Sequence, residues 1–315
     1  MLASWLIPVM RPLLIILFIA LSLKVSAQTS SAKIGLTLSG GGAKGIAHIG
    51  ILQAIDSAGL NIDYITGTSM GSIVGALYAA GYSGNDLEKI SRDLDWTNLF
   101  SGKALMEKVN IDEKYEYDQY AVEVPYENGK LKLGTGLIEG QELWLKFQEL
   151  FLPVYNVKDF SKFSIPFACV ATDLSTGKAV ILDRGEIVTA LRSSMAIPSV
   201  FTAIDYNGTK LIDGGVVRNF PVNDAIAMGA NYTIGVNLSQ GLLKADKLDN
   251  PVDILMQVSL YKDADDFHRE RDLCDILIEP PVEDYSAASF GSAEELLQIG
   301  KESGRKYYPL FKKLV

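Results

Sequence analysis

Ile62-Asp63-Tyr64-Ile65-Thr66-Gly67-Thr68-Ser69-Met70-Gly71 passes from a short apolar run into a Gly-x-Ser-x-Gly sequence, and Ile73–Ala80 carries on at helical spacing. Strand, tight turn and helix is the context a nucleophilic serine needs. The turn holds the residue in strained backbone geometry with its Oγ exposed, and flanking glycines let neighbouring chain pass without a Cβ clash. The N-terminus of the helix that follows favours negative charge developing beside it. Ser69 is the candidate nucleophile, supported by Gly67 and Gly71; an inactive Gly/Ser turn is the rival reading.

Upstream, Ser39-Gly40-Gly41-Gly42-Ala43-Lys44-Gly45 also follows a strand-like run, Lys33–Leu38, and opens a helix. Consecutive glycines bring backbone N–H groups close to a ligand, so such a loop binds a phosphate or an oxyanion. Gly40, Gly42 and Gly45 satisfy Gly-x-Gly-x-x-Gly, which makes a dinucleotide-binding fold the obvious competitor. That fold wants an acid at the end of the second strand to hold a ribose, and this chain has Thr66 and then Ser69. Lys44 is followed by Gly45, not Ser or Thr, which excludes a Walker phosphate loop. The loop reads better as an oxyanion hole serving Ser69.

A serine needs a base, and the chain has two histidines. His48 follows the glycine loop on a helix leading away from it and reads as a packing or hydrogen-bonding residue. His268 lies in a charged helix, Lys262–Asp272, although Ser69, Asp213, His268 would keep the order of an α/β-hydrolase triad. Asp213 is the other candidate. It ends a short strand, Lys210–Ile212, and the Gly214-Gly215 that follow let chain or substrate approach its carboxylate. A carboxylate of ordinary pKa is a poor base for a hydroxyl, so Asp213 has to be partly desolvated to serve.

Around these motifs, runs of Val, Ile and aromatic residues alternate with segments of helical period, the mark of an α/β layer fold. Further strands are expected at Pro166–Thr172, Lys178–Leu182, Tyr232–Asn237 and Asp275–Ile278. Helices are expected at Lys44–Ala58, Met70–Ala80, Gly84–Leu94, Gly140–Leu150, Glu186–Ser193, Val222–Met228, Val252–Arg271 and Ser292–Phe311. Leu94–Asn156 does not alternate cleanly. Its Leu143, Phe147 and Phe151 recur every four residues, so that helix face either packs on the sheet or caps the site.

The first residues differ from all the rest. Arg11 precedes an apolar run of 12 residues, Pro12–Leu23, and Val25-Ser26-Ala27 supplies small residues before Gln28. That pattern predicts a signal peptide, residues 1–27, and an exported protein. A membrane anchor is the alternative, but the run falls short of the roughly 20 residues that span a bilayer. Lys33 to Lys313 is expected to form one domain. The net charge of −9 argues against nucleic acid and against electrostatic adhesion to anionic lipid. Cys169 and Cys274 have no CxxC neighbour and no nearby histidine, which speaks against structural zinc.

Together, Gly40–Gly45, Gly67–Gly71 and Asp213-Gly214-Gly215, with Arg192-Ser193-Ser194-Met195-Ala196-Ile197-Pro198 before the aspartate strand, resemble the bacterial patatin-like phospholipases over about Lys33 to Ala230. The resemblance implies a three-layer α/β fold with a central, mostly parallel sheet flanked by helices. It also implies a Ser69–Asp213 dyad without histidine, acting on the acyl esters of phospholipids or other lipids at a membrane or micelle surface, with no cofactor or metal. Gly40, Gly41 and Gly42 would form the oxyanion hole, with the N–H groups of Gly41 and Gly42 facing the oxyanion; Lys44, Gly45, Gly67, Gly71, Gly214 and Gly215 would support it. Some bacterial relatives continue into an outer-membrane barrel, so the chain is expected to be either a stand-alone periplasmic or secreted enzyme or the leading domain of a larger protein. A catalytically silent lipid-binding protein would keep the same fold.

Overall fold

The computed structural model describes residues 32–96, 99, 126–127, 130–131, 136–138, 140–239, 254, 257–258, 261 and 263–315. The expected signal peptide lies outside them, as does most of 252–262, the first half of the helix expected at Val252–Arg271. Residues Lys33–Val315 form one compact unit.

Its centre is a mixed sheet. Strands β1 (Ile34–Leu38), β2 (Tyr64–Thr68), β6 (Phe167–Asp173), β11 (Tyr232–Val236) and β12 (Ile276–Ile278) run parallel in the order β12-β11-β1-β2-β6. Strands β7 (Ala179–Leu182) and β10 (Thr209–Asp213) pair antiparallel with β6, and β9 (Ile204–Tyr206) continues antiparallel from β10. Short pairs lie apart from this sheet: β3 (Tyr126–Glu127) with β4 (Lys130–Leu131), and β5 (Gly136–Ile138) with β8 (Ser199–Phe201). Strands β3, β4, β5, β8 and β9 have no counterpart in the sequence pattern: each is two or three residues long and, unlike the Ile-Leu-Ile of β12, none is an unbroken aliphatic run that registers without alternation.

Helices cover both faces because successive side chains of a strand point to opposite sides. Helix α2 (Met70–Ala80) packs where Ile65 and Leu38 point, with Gly75 against both. On the other face lies α6 (Val222–Met228), whose Ala225, with Ala230 just beyond the helix, crowds the space a side chain at Gly35 would need. On that face the Thr37 and Thr66 hydroxyls pair at 2.9 Å, and Thr66 also donates to Pro221 O at 2.9 Å. Helix α1 (Ala47–Ala58) follows a 3-10 turn at Gly42–Ile46 and packs tightly on α8 (Ala293–Leu314), Gly50 meeting the backbone at Gly300. Helix α3 (Gly84–Asp93) starts with a capping box, Ser83 and Asp86 each bonding the other's backbone N–H. Helix α4 (Gln141–Leu150) buries Leu143 and Phe147 and ends on fully buried Phe151, so that face packs into the core, while Leu145 stays exposed. Helix α5 (Ile187–Ser194) lies against β6 and β10, and α7 (Asp263–Asp272) carries His268 at the surface.

The sheet register explains how residues 144 positions apart meet. Cys169 of β6 pairs with Gly67 of β2 on one edge and with Leu182 of β7 on the other. Ala171 pairs with Val180 of β7 and, on the opposite edge, with Asp213 of β10. Strands β2 and β10 therefore share one edge of β6 end to end. Strand β2 stops at Thr68, opposite Val170; β10 arrives from the other direction and stops at Asp213, opposite Ala171. Ser69 and Asp213 are thereby delivered to one point.

Candidate active site

Ser69 sits at the break between β2 and α2 with φ 51° and ψ −126°, a backbone state that costs a non-glycine residue of order 1–3 kcal/mol. The elbow persists because its surroundings hold it. The Ser69 N–H donates to Ser194 Oγ at 3.0 Å, and Ser194 Oγ donates to Val170 O at 2.6 Å. Ser72 Oγ returns to Ser69 O at 2.6 Å. A side chain at Gly71 would strike the carbonyls of Leu38 and Ser39, and one at Gly67 would meet the Gly71 backbone at 2.7 Å. Both glycines are thus set by close approach of chain to chain.

Ser69 Oγ donates to Asp213 Oδ2 at 2.7 Å. The other carboxylate oxygen accepts from Gly215 N at 2.7 Å, and the Asp213 backbone is pinned by Ala196 O at 2.8 Å and Thr172 Oγ1 at 2.9 Å. Burial pushes the Asp213 carboxyl up to about 6, against the lowering pull of the Ser69 hydroxyl and the Gly215 amide. This is the desolvation a carboxylate base requires. Gly214 lies against Val170 O, where a side chain would collide.

The glycine loop passes over the same point, and its three glycines do different things. Gly40 N–H donates to Asn219 O at 3.2 Å, and a side chain there would strike the Asn219 carboxamide and crowd Ser69 Cβ at 3.1 Å. Gly41 and Gly42 follow, and neither amide has a backbone partner among the described residues. Gly42 adopts φ +57° against Ala287, in the left-handed region that favours glycine, and lines the cavity over Ser69. These are the two amides that the sequence reading aims at an oxyanion, with Gly40 completing the loop. Gly45 packs on the Met70 side chain, and Lys44 lies half-buried on the 3-10 turn with its N–H on Gly41 O at 3.3 Å.

Neither histidine enters this contact. His48 is fully buried, and since a carbonyl can only accept, its Nε2 donates to Ser39 O at 2.9 Å. Burial lowers the His48 pKa to about 4, so the ring is neutral there and steadies the glycine loop. His268 is exposed on α7. Thr66, where a dinucleotide fold would place its ribose acid, is buried with its hydroxyl on Thr37 and Pro221. Cys169 and Cys274 are both free thiols.

Above Ser69 opens a cavity of about 320 Å³, in the range of small-molecule sites. Its walls are almost wholly apolar, formed by Met70, Ile73, Trp96, Met195, Ile197 and Phe290 among others. The sequence reading missed Ser194 as the holder of the nucleophile's amide and the Ala287–Gly291 segment as a cavity wall. Ser194 stood inside the motif at Arg192–Pro198, where its Val170 partner could not be foreseen; Ala287–Gly291 carries no motif.

A parallel-centred α/β sheet with a serine elbow paired to a buried aspartate defines the class. The chain belongs to the patatin-like phospholipase family, whose model matches residues 36–226. It is 27% identical over 311 residues to "Lysophospholipase NTE1" of Kluyveromyces lactis, covering 90% of this chain and 20% of that protein. An NTE family protein of Mycobacterium tuberculosis strain H37Rv is 28% identical over 211 residues, 67% of this chain and 50% of the relative. The chain thus spans a fifth to a half of the length of these relatives. The crystal structure of VipD from Legionella pneumophila shares the fold at a TM-score of 0.50 and 16% identity, over 89% of this chain and 67% of that one.

Proposed function

We propose that the protein hydrolyses carboxylic ester bonds of lipids, phospholipids and lysophospholipids among them, through an acyl-enzyme on Ser69. The observation that carries this reading is the 2.7 Å hydrogen bond from Ser69 Oγ to a buried Asp213 at the floor of an apolar cavity. With Asp213 ionised, Ser69 Oγ attacks the ester carbonyl carbon as its proton passes to Asp213 Oδ2. The carbonyl oxygen becomes an oxyanion facing the amides of Gly41 and Gly42, where each well-placed donor stabilises the transition state by roughly 3 kcal/mol. Collapse breaks the bond to the alcohol, which leaves with the proton from Asp213. Water then gives its proton to Asp213 and attacks the acyl-enzyme, and the same oxyanion site serves as the fatty acid departs and Ser69 recovers its proton. The relative named a lysophospholipase supports a lipid ester as substrate.

The same reading places the enzyme outside the cytoplasm, because Met1–Ala27 has the form of a cleaved signal peptide. A mature N-terminus at Gln28 would support that; an intact Met1 in the purified native protein would refute it. Activity itself is tested by release of fatty acid from labelled phosphatidylcholine and lysophosphatidylcholine. Turnover by the wild type and its loss in Ser69→Ala support the proposal, whereas equal rates for both refute it.

A further inference from the structure

A second cavity lies beside the one over Ser69. It is small, about 30 Å³, and wholly apolar, lying among Val74, Leu77, Leu87, Ile90, Leu143 and Phe147. Met70, Ile73 and Trp96 line both cavities, so these three side chains are the partition between them. Met70 and Ile73 are buried on α2 and fixed by the elbow. Trp96 is different: it stands just past the end of α3 and reaches into the gap. Its Nε1 donates to Ser91 O at 2.8 Å, and its ring stacks on Phe290 with centroids 5.7 Å apart and planes 15° apart. The ring is half-buried and held at its polar edge and on one face.

We infer that Trp96 sets the length of acyl chain the enzyme accepts, by closing the chamber over Ser69 against a narrow apolar seam behind it. This rests on the acyl-hydrolase reading above. The occupant is an unbranched hydrocarbon chain, because the seam presents no polar surface to water or to a headgroup and continues the apolar wall that begins at the nucleophile. Trp96 is a specificity-determining residue with no part in the bond-making steps. Removing the indole joins the two spaces, and chain carbons that now meet a wall gain apolar contacts beyond it.

The test is kcat/KM for p-nitrophenyl esters from butyrate to palmitate, for wild type, Trp96→Ala, Trp96→Phe and Trp96→Ala with Leu143→Phe. The expected result is a longer preferred chain in Trp96→Ala, its palmitate-to-octanoate ratio rising by about tenfold or more over wild type while butyrate stays within about threefold. Trp96→Phe shifts less, and Leu143→Phe, which refills the seam, reverses part of the shift. An unchanged profile overturns the inference. So does an equal loss at every chain length with unchanged circular dichroism, which makes Trp96 merely structural. Should Trp96→Ala fail to fold, the Trp96→Phe profile decides by the same criterion. Displacement of a fluorescent fatty acid by free acids of increasing length reads the same break point without turnover. A wild type that hydrolyses no ester yet shows a break point moved by Trp96→Phe would sink the enzymatic reading and leave the ruler standing.

Discussion

The floor of the cavity and its walls are held by different forces. At the floor, Ser69 and Asp213 end two strands that share one edge of β6, and the polar atoms around them are tied down: Ser69 N to Ser194, Asp213 Oδ1 to Gly215, Asp213 N to Ala196. The walls come from segments far apart in the chain, around Trp96, Ile197 and Phe290, and they meet through apolar packing and one ring stack. Directional bonds in a buried setting tolerate little displacement, whereas apolar contact is adjustable. Substitutions at the floor should abolish turnover, and those in the walls should retune what is turned over.

The sharpest break of that comparison is Ser69→Ala, for which hydrolysis should fall by at least about a thousandfold with the melting temperature kept, since the lost group is the nucleophile itself. Asp213→Asn keeps the shape but cannot accept the proton, and a drop of about a thousandfold in kcat is expected in steady-state assays. His268→Ala, in the same assays, should leave kcat/KM within about twofold; a thousandfold loss would put a histidine back into the mechanism. Ser194→Ala removes the acceptor of the Ser69 amide and leaves Val170 O without its donor. Chemical denaturation should show a loss of about 1–3 kcal/mol, and kcat should fall more than KM rises.

A pH effect concerns two buried groups beneath the glycine loop that titrate in opposite senses. The Asp213 carboxyl holds its proton up to about 6 when folded against an ordinary value of 3.8, so between those values the folded state carries the extra proton and stability falls as pH rises. His48 titrates near 4 when folded against 6.5 ordinarily, so there the unfolded state carries the extra proton and stability rises with pH. From about pH 4 to pH 6 the two oppose each other. Asp213→Asn removes one of them, and denaturation midpoints across that window should climb more steeply with pH than in wild type, by up to about 1.4 kcal/mol per pH unit. In wild type, kcat/KM should rise with pH and level off above about 6, as Asp213 becomes the base.

Much of the site was legible along the chain because its chemistry is local. A serine elbow, a glycine loop before a helix and Asp-Gly-Gly after a strand are each set by short-range backbone requirements, and short-range requirements leave residue patterns. Strand positions were legible for the same reason; β1, β6 and β11 fall within a residue or so of their apolar runs. The contact between Ser69 and Asp213 was readable only through resemblance, because nothing in the 143 intervening residues states that β10 enters β6 on the edge where β2 leaves it.

The division of labour among the glycines shows the same limit more finely. The sequence alone determined that Gly40, Gly41 and Gly42 lie on a loop facing Ser69, since only glycine lets backbone come so near. Only the tertiary structure decided that Gly40 N–H belongs to Asn219 while Gly42 lines the cavity, and that Ser194 and Trp96 complete the site. Hydrogen-bond partners and cavity walls are properties of where separate segments come to rest, and side-chain packing across the sheet settles that, not the order of residues within any one segment.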